Sequence, residues 1–338
     1  MELKDTKDAF FMNRALLLAR RAEGHTRPNP PVGAVIVCNG KIIGEGWHRR
    51  AGSDHAEVAA IKNARKRCKS AFNSLMPKST LYVTLEPCSR PGRVGACTDA
   101  IAECKISRVV YACADPNPKN RGRAQRILKG KQIACEKINA HSDVAKECAQ
   151  LIRPFTKHVL TGLPYVTVKM AISLDGRICD DKGQARWISA DKSRKLTGKL
   201  RERVDAIMVG AETVRRDNPS LLSHARQNDD LLRVVISRSG KLPRSAQIFC
   251  DGKNETVVFS NAKDALKELG KRGIMHVLCE GGMKLATSLV EDNLVDEWLC
   301  VVSPVVIGSK PITKAARGKI TNSCLVKPDA FLNASFKP

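Results

Sequence analysis

The sequence predicts an α/β protein with two domains, and three observations support this prediction. The chain has 338 residues, which is too long for one typical hydrophobic core. Strand-like and helix-like segments alternate through both halves, and in the first half their order is that of an α/β/α sandwich. The alternation breaks near 148–164, where Pro154 and the TGLP segment predict a linker. We therefore expect domains at 1–149 and 150–338.

In the first half, apolar residues recur at helical or strand spacing. Asn39 and Gly40 separate two apolar runs, which is typical of a tight β-hairpin turn. The alanine-rich segment that follows the hairpin has a helical pattern. In chain order the pattern predicts a helix at 8–22, the hairpin over 31–48, a helix at 55–68, a strand at 80–88, a helix at 97–106, a strand at 108–116, a helix at 123–130 and a strand at 132–138.

The second half repeats the alternation, with β-branched runs as strands and Lys-, Leu- and Ala-rich runs as helices. A pair of glycines, Gly281 and Gly282, joins a strand to the helix that follows it. In chain order the pattern predicts a strand at 164–173, a helix at 189–203, strands at 206–210, 232–237 and 255–260, a helix at 261–273, a strand at 275–282, a helix at 284–293 and a strand at 295–303.

Composition narrows the class of protein. The formal net charge is +24, which permits nucleic-acid binding, anionic small substrates or a generally basic surface. The basic residues are spread along the chain and aromatic residues are only 4%, so base-stacking platforms are scarce and we expect no nucleic-acid partner. No apolar run is long enough to span a membrane, and the first residues lack a secretory core. Thirteen irregularly spaced cysteines fit reduced thiols, so we expect a cytoplasmic protein.

Three residues have the character of a zinc site. His55 begins the helix after the hairpin, Cys88 follows a strand, and Cys97 begins the next helix. An imidazole and two thiolates suit tetrahedral zinc with a fourth position open to water, and helix N-termini favour thiolate. Glu57 then serves as the acid–base group that takes a proton from water and passes it to a leaving amine. A single buried Cys or His is usually only packed, but the joint pattern resembles the zinc nucleobase deaminase signature, although the second cysteine lies nine positions after the first.

The chain resembles, over nearly its whole length, the bifunctional deaminase/reductase family of riboflavin biosynthesis. The first half contains RPNPPVGAVIV, GEGWHRRAGSDHAEV, YVTLEPCSRPGRVGAC and DPNP, and the long cysteine spacing is typical of this family. The second half contains PYVTVKMAISLDGRI, RWIS, DAIMVGAETVRRDNPSL and LCEGGMKLATSLVEDNLVDEW. The resemblance implies a cytidine-deaminase-like domain followed by a dihydrofolate-reductase-like domain.

The resemblance implies two steps. The first domain removes the 2-amino group of 2,5-diamino-6-(5-phosphoribosylamino)pyrimidin-4-one with Zn²⁺, and the second reduces the ribosyl chain to ribityl with NADPH. By the same resemblance, Asn29, His48, Arg93 and Asn117 contact the pyrimidine or the phosphate. A plain PNP turn and a surface histidine are the structural alternatives for these residues.

In the second half the resemblance implies a cofactor cleft and a substrate wall. Thr213, Asp217 and the Gly281–Gly282 turn are expected to converge on one pocket, with Glu280 facing the substrate. Lys169 and Arg201 are expected to approach this pocket from the opposite wall and to favour the anionic phosphates. The implied cofactor-binding residues are Lys169, Ala171, Trp187, Ser189, Thr213, Asp217, Gly281 and Gly282. The implied substrate-binding residues are Arg201, Leu221, His224 and Glu280.

Departures from the family pattern leave alternatives open. Ala185 occupies a position where the family has a substrate-binding serine. His224 occupies a position where the family has an arginine, and the nearby Arg226 could take the role of that arginine. Arg238 occupies a position where the family commonly has a serine near the cofactor. The alternatives are a deaminase with an inactive reductase-like domain and, more remotely, a nucleic-acid-editing deaminase. The family also suggests a homo-oligomer associated through the reductase domain.

Overall fold

A computed structural model of the chain describes residues 2–90, 95–180, 188–223, 231–307, 319–326 and 329–335. These residues form two compact units, Met1–Thr161 and Gly162–Pro338. The linker predicted near 148–164 is wrong for most of its length, since Asp143–Leu151 and Arg153–Thr161 are helices, but the two units do divide within its TGLP segment, between Thr161 and Gly162. Pro154 is compatible with a helix there because it lies in the first turn, where a backbone N–H has no intrahelical acceptor.

The first unit is a three-layer sandwich around a five-stranded sheet of order β2-β1-β3-β4-β5. The strands are β1 Gly33–Cys38, β2 Lys41–Trp47, β3 Ser79–Leu85, β4 Arg108–Cys113 and β5 Ala134–Lys137. The α-helices are α1 Glu2–Ala19, α2 Ala56–Cys68, α3 Phe72–Leu75, α4 Cys97–Glu103, α5 Arg123–Gly130, α6 Asp143–Leu151 and α7 Arg153–Thr161. Short 3₁₀ turns lie at Arg20–Ala22, Lys69–Ala71 and Met76–Lys78.

Each face of this sheet has its own hydrophobic core. One core joins apolar residues of α1 and α6 to the sheet, and the other joins α2, α3, α4 and α5 to the opposite face. β1 pairs antiparallel with β2 and with β3, whereas β3, β4 and β5 are parallel. The segment that follows β3 and the starts of α2 and α4 therefore carry the three predicted zinc ligands.

Two glycines in β2 let α2 lie directly on the sheet. A Cβ atom on Gly44 or on Gly46 would overlap backbone atoms of Ala60 in α2. The alternation of glycine in the GEGW segment is thus a packing requirement, because only a residue without a side chain permits this approach. The close contact fixes the first turn of α2, which holds His55 and Glu57, against the end of the sheet.

The second unit is built on an eight-stranded sheet of order β12-β13-β11-β6-β10-β7-β8-β9. Its strands are β6 Tyr165–Ser173, β7 Ala206–Gly210, β8 Leu232–Ile236, β9 Thr256–Phe259, β10 His276–Cys279, β11 Glu297–Ser303, β12 Lys319–Val326 and β13 Asp329–Ser335. Its helices are α8 Asp191–Arg201, α9 Ala211–Asp217, α10 Gln247–Cys250, α11 Ala262–Lys271 and α12 Met283–Glu291.

The strand order of this sheet indicates where a ligand would bind. The strands from β11 to β9 are parallel, and β13 and β12 add an antiparallel edge. β10 lies between β6 and β7, so the order along the sheet reverses there. Ligands of such sheets bind beyond the carboxyl ends of the strands at the reversal. Within the described part of the chain, no helix has both the length and the apolar character needed to cross a membrane.

Candidate functional site

Three side chains of the first unit converge as the sequence predicted. His55 is the N-cap residue of α2, and Cys97 is the first residue of α4. His55 Nδ1 lies 3.2 Å from Cys97 Sγ and 3.4 Å from Cys88 Sγ. All three potential ligand atoms lie within 4.8 Å of one another. The backbone N–H of Cys97 also donates to Cys88 Sγ at 3.3 Å.

These residues fit a tetrahedral zinc ion. With Zn–N near 2.0 Å and Zn–S near 2.3 Å, tetrahedral ligand atoms lie about 3.5 Å apart, close to the nitrogen–sulfur distances found here. The hydrogen bond with Cys97 lowers the pKa of the Cys88 thiol, and the same bond raises the pKa of Cys97, so one thiol ionises first. The donor set leaves a fourth position, which is the arrangement of catalytic rather than structural zinc.

Glu57 lies in the first turn of α2 and is 4% exposed. Burial, followed by the nearby Cys88, raises the pKa of its carboxyl group from 4.5 to about 7. The carboxyl is also within hydrogen-bonding reach of the Cys97 thiol. A carboxyl group with a pKa near neutrality beside a metal site can both accept and return a proton, which is what general acid–base chemistry requires.

His48 and Asn29 form a pair beside the zinc ligands. The buried His48 ring lies 5.5 Å from that of His55, edge to face. His48 Nδ1 contacts the Asp54 carbonyl at 3.0 Å, and His48 Nε2 lies 3.0 Å from Asn29 Nδ2. Because a carbonyl only accepts, Nδ1 carries the proton and Nε2 accepts from Asn29. Burial lowers the pKa of His48, so the ring is neutral, and Asn29 Oδ1 remains as an acceptor.

Asn117 lies in the segment between β4 and α5. Its Oδ1 accepts from the Lys119 N–H at 3.0 Å, which fixes the amide plane and leaves Nδ2 as the donor. Sequence reasoning missed a residue that holds this segment, Glu86, whose carboxylate accepts from three backbone N–H groups of residues 115–124. The signal available in the sequence was a carboxylate at the end of an otherwise buried strand, directly before Pro87.

The Gly281–Gly282 turn of the second unit lies where β10 leads into α12. Gly281 has φ of +113° and its peptide bond to Gly282 is cis. The Gly281 carbonyl accepts from the Gly210 N–H at 3.0 Å, and a Cβ on Gly282 would lie 3.6 Å from Thr213 Oγ1. The turn, the first residues of α12 and Thr213 are therefore neighbours, and the start of this nine-residue helix suits an anionic phosphate such as those of NADPH.

Three charged residues of the second unit cluster beside this turn. Arg201 donates from Nε and Nη2 to the two oxygens of Glu280 at 2.7 and 2.8 Å, and from Nη1 to the Leu222 carbonyl at 2.9 Å. The sequence predicted Arg201 on the wall opposite Glu280, whereas the two side chains form an ion pair. Burial lowers the pKa of Lys169. The charge of Arg201 lowers this pKa further, whereas the charge of Glu280 raises it. A bidentate pair satisfies both charges in a poorly solvated place.

The remaining described residues predicted for this cleft are placed as follows. Leu221 is 2% exposed in a hydrophobic cluster, so any contact with a substrate falls to its backbone. Ala171 lies on β6 and packs against the small hydrophobic cluster around Val301. Ser189 is buried, and its backbone carbonyl accepts a hydrogen bond from Arg194. Asp217 is exposed at the end of α9, one turn beyond Thr213, and the departure Arg238 is exposed after β8. Arg93, Ala185, Trp187, His224 and Arg226 lie outside the described residues.

Comparisons with known proteins match both units. Residues 5–113 match the cytidine and deoxycytidylate deaminase zinc-binding region, and residues 164–326 match the RibD C-terminal domain. The riboflavin biosynthesis protein RibD of Aquifex aeolicus is 34% identical over 325 residues, with 89% of this chain and 88% of that protein covered. The RibD protein of Escherichia coli is 33% identical over 340 residues, with 90% and 89% covered.

Solved structures agree over almost the full length. A diaminohydroxyphosphoribosylaminopyrimidine deaminase/5-amino-6-(5-phosphoribosylamino)uracil reductase from Thermotoga maritima superposes with a TM-score of 0.86 at 30% identity, covering 98% of this chain and 99% of that one. Acinetobacter baumannii RibD superposes with a TM-score of 0.83 at 30% identity and the same coverage. The predicted fold class, a cytidine-deaminase-like domain followed by a dihydrofolate-reductase-like domain, is confirmed. The chain belongs to the RibD family of riboflavin biosynthesis proteins.

Proposed function

We propose that the chain catalyses two consecutive steps of riboflavin biosynthesis with separate sites. The first site hydrolyses the 2-amino group from 2,5-diamino-6-(5-phosphoribosylamino)pyrimidin-4-one. The second site uses NADPH to reduce the ribosyl chain of the product to ribityl. The observation that carries this proposal is the convergence of His55, Cys88 and Cys97 beside a buried Glu57, in a chain whose other half matches the RibD C-terminal domain.

In the first site, His55, Cys88 and Cys97 hold zinc. When bound, zinc lowers the pKa of a water molecule toward neutrality and so supplies a nucleophile. His55 binds as a neutral imidazole through Nδ1, the atom that faces both thiols. The positive end of α4 and the Cys97 N–H stabilise the thiolates.

Glu57 moves the protons of the deamination. Its ionised carboxylate accepts a proton from the attacking water as the new carbon–oxygen bond forms at the ring carbon. The protonated carboxyl then gives that proton to the amino group, which leaves as ammonia when the carbon–nitrogen bond breaks. Burial supports both roles, because a pKa near neutrality makes neither transfer strongly uphill.

Three described polar residues orient the pyrimidine in this proposal. Asn29 Oδ1 accepts from a ring N–H, since Asn29 Nδ2 is engaged with His48. His48 therefore acts through Asn29 as a positioning residue, and its neutral state keeps the amide orientation fixed. Asn117 donates from Nδ2, and Arg93 is proposed to contact the phosphate.

In the second site, NADPH supplies a hydride to the ribosyl carbon that is reduced. The Gly281–Gly282 turn, Thr213 and Asp217 bind the cofactor, and the start of α12 favours its phosphates. Lys169, Ala171, Trp187 and Ser189 shape the rest of this cleft. The Arg201–Glu280 pair and the Leu221 backbone, together with His224, form the substrate wall. Hydride transfer depends chiefly on such positioning.

The bifunctional interpretation holds over its alternatives. Both halves match their family descriptions and the relatives span most of both chains, so a deaminase with an inactive second domain is disfavoured despite the departures at Ala185, His224 and Arg238. A nucleic-acid-editing deaminase is disfavoured because its class has no reductase-like half.

The test is an assay of the purified chain on the diaminopyrimidine phosphate, with and without NADPH. Without NADPH we expect ammonia and the deaminated aminouracil, and with NADPH we expect the ribityl product and stoichiometric NADPH oxidation. Ammonia release without any NADPH oxidation would contradict the second activity. NADPH oxidation on authentic aminouracil without ammonia release from the diamine would contradict the first.

Two further features belong to this proposal. A cytoplasmic location is supported by the thirteen cysteines, all of which are free thiols. Association through the reductase unit is supported by exposed apolar residues, since Leu174 and Val306 are 67% and 70% exposed and the Leu174 N–H donates to the Val305 carbonyl. Sedimentation of the wild type and of Leu174→Glu tests it, with a lower association state expected for the variant. Equal states would contradict this surface.

A further inference from the structure

The Glu86 carboxylate is buried and accepts three backbone hydrogen bonds. Glu86 is 3% exposed and lies between the end of β3 and the zinc ligand Cys88. Its Oε2 accepts from the N–H groups of Asp115 at 3.2 Å and Gly122 at 3.0 Å, and its Oε1 accepts from Ala124 at 3.2 Å. Asp115 and Gly122 belong to the connection between β4 and α5, and Ala124 lies in the first turn of α5.

This carboxylate replaces the missing cap of α5. The N-cap residue of α5 is Gly122, with φ of +73°, and it has no side chain to accept from the first turn. The N–H groups of Gly122 and Ala124 would otherwise lack acceptors, since the first turn of a helix leaves its amides unpaired. A carboxylate at this end is also favoured by the helix dipole. Glu86, which directly follows β3, thus supplies the acceptor that the N-cap residue Gly122 lacks.

The same connection is attached to the zinc segment a second time. Asp115 accepts from the Asn117 N–H at 2.8 Å and from Asn120 Nδ2 at 2.8 Å. Asn120 Oδ1 in turn accepts from Ser89 Oγ at 3.0 Å. Glu86 and Ser89 stand on either side of the Pro87–Cys88 pair, so residues 115–122 are fixed to both ends of the segment that carries a metal ligand.

We propose that Glu86 is a positioning residue of the deaminase site, because its carboxylate fixes residues 115–122 beside the zinc segment and so sets where Asn117 meets the pyrimidine. This inference rests on the proposed substrate contact of Asn117. It assigns Glu86 no contact with substrate or metal. It also explains why a side chain with two acceptor oxygens is buried at this position, where an apolar residue would leave three amides without acceptors.

The primary test is Glu86→Gln in the full-length, zinc-loaded chain. A glutamine has one acceptor oxygen, so in either orientation its NH₂ group faces at least one of the three amides. We expect KM for the diaminopyrimidine phosphate to rise roughly tenfold. We expect kcat to change by less than about threefold, since Glu57 and the ligands are untouched. Zinc content should stay at one per chain, and hydrogen exchange of peptides within 115–124 should quicken.

The matched control is Glu103→Gln, an exposed carboxylate at the end of α4, which should alter none of these quantities.

A double-mutant cycle with Asn117→Ala separates positioning from general stability. If Glu86 acts through this segment, KM of the double variant should be no higher than that of the weaker-binding single variant. Glu86→Asp, which keeps the charge, should restore part of the affinity. If Glu86→Gln does not fold, Ser89→Ala provides the second approach, since it removes only the bond to Asn120 and should raise KM in the same direction.

The outcomes distinguish this inference from the one on which it rests. A normal KM for Asn117→Ala, together with a raised KM and faster exchange in Glu86→Gln, would remove the role of Asn117 and keep that of Glu86 through another residue of 115–122. Faster exchange with an unchanged KM would overturn the inference, because Glu86 would then be merely structural. Independent, multiplicative effects on KM, or loss of zinc in Glu86→Gln, would overturn it as well.

Discussion

At the scale of single residues, zinc binding depends on three side chains brought together from separate elements. His55, Cys88 and Cys97 face one another at distances that suit tetrahedral zinc. We expect Cys88→Ser to bind zinc far more weakly and to lose deamination, because a serine hydroxyl is not ionised at neutral pH. Metal analysis after dialysis measures the zinc content per chain.

The matched control for this prediction is Cys68→Ser. Cys68 is the half-buried last residue of α2, far along the helix from the His55 end. This variant should retain one zinc per chain and normal activity. Full zinc occupancy and full activity in Cys88→Ser would show that the ligand assignment is wrong.

Glu57 should affect proton transfer and leave metal binding intact. We expect Glu57→Gln to retain zinc but to deaminate about 10²–10⁴-fold more slowly, since an amide cannot carry the proton. Loss of zinc in this variant would instead identify Glu57 as a ligand or a structural residue, and near-normal turnover would exclude it from the mechanism.

The pH dependence of deamination follows from the same residue. Glu57 accepts a proton only when ionised, so kcat/KM should fall as the pH falls through its pKa. Burial raises that pKa from 4.5 to about 7, and a bound dication draws it downward, so the acidic limb should lie between these values. The pH profile of kcat/KM measures the limb, and an activity independent of pH from 4.5 to 7 would contradict this role.

At the scale of elements, a buried ionic contact joins α1 to the sheet of the first unit. Asp8 accepts from Arg108 Nη1 at 2.9 Å and from the Tyr82 hydroxyl at 2.7 Å, and it is only 6% exposed. We expect Asp8→Ala to lower the free energy of unfolding of this unit by about 2–4 kcal/mol, because Arg108 and Tyr82 lose their acceptor in a poorly solvated place. Glu136, which also pairs with Arg108, limits the loss.

An exposed ion pair of the same unit provides the control. Arg20 and Glu147 are 47% and 43% exposed, so Glu147→Ala should change the free energy of unfolding by less than about 1 kcal/mol. Urea unfolding followed by Trp47 fluorescence, with Trp187 and Trp298 replaced by Phe, measures both variants. Equal effects would show that burial of the Asp8 contact has no energetic consequence.

Elements with strong local signals were predictable, and elements defined by tertiary contacts were not. Asn39 and Gly40, with φ of +50° and +73°, form the predicted turn between β1 and β2. By contrast, Pro154 predicts a linker where the structure has α7, because a proline in the first turn of a helix gives the same local signal as a helix breaker. The short α9 and the edge strands β12 and β13 were missed, since short or edge elements give weak periodic patterns.

The residues of the candidate sites were also predictable only where the local sequence carries the signal. The zinc residues were predictable because His, Cys and Glu at such spacing combine chemistry with local structure. The ion pair between Arg201 and Glu280 was not, because 79 positions separate the two residues and only the strand order brings them together. Glu86 was also missed, since its three donors lie 29 to 38 positions further along the chain, in the connection after β4 and in the first turn of α5.

At the scale of the whole molecule, the two units carry different chemistry on different sheets. The zinc residues all belong to Met1–Thr161, and the charged cluster of the cleft belongs to Gly162–Pro338. A substitution confined to one cluster should therefore reduce one activity of the chain and leave the other unchanged.

Glu280→Gln in the full-length chain tests this independence. Glu280 holds Arg201 through two hydrogen bonds beside the half-buried Lys169, so the loss of the Glu280 charge leaves Arg201 without its counter-charge and displaces the arginine. We expect NADPH oxidation to fall by at least about tenfold. Ammonia release should match that of the wild type, and the deaminated aminouracil should accumulate. Chromatography of the products, with absorbance of NADPH, measures both steps.

Glu255→Gln, at an exposed carboxylate of the same unit, should leave both rates unchanged. Parallel loss of both activities in Glu280→Gln would show that the two sites are coupled, and normal NADPH oxidation would remove Glu280 from the reductase site.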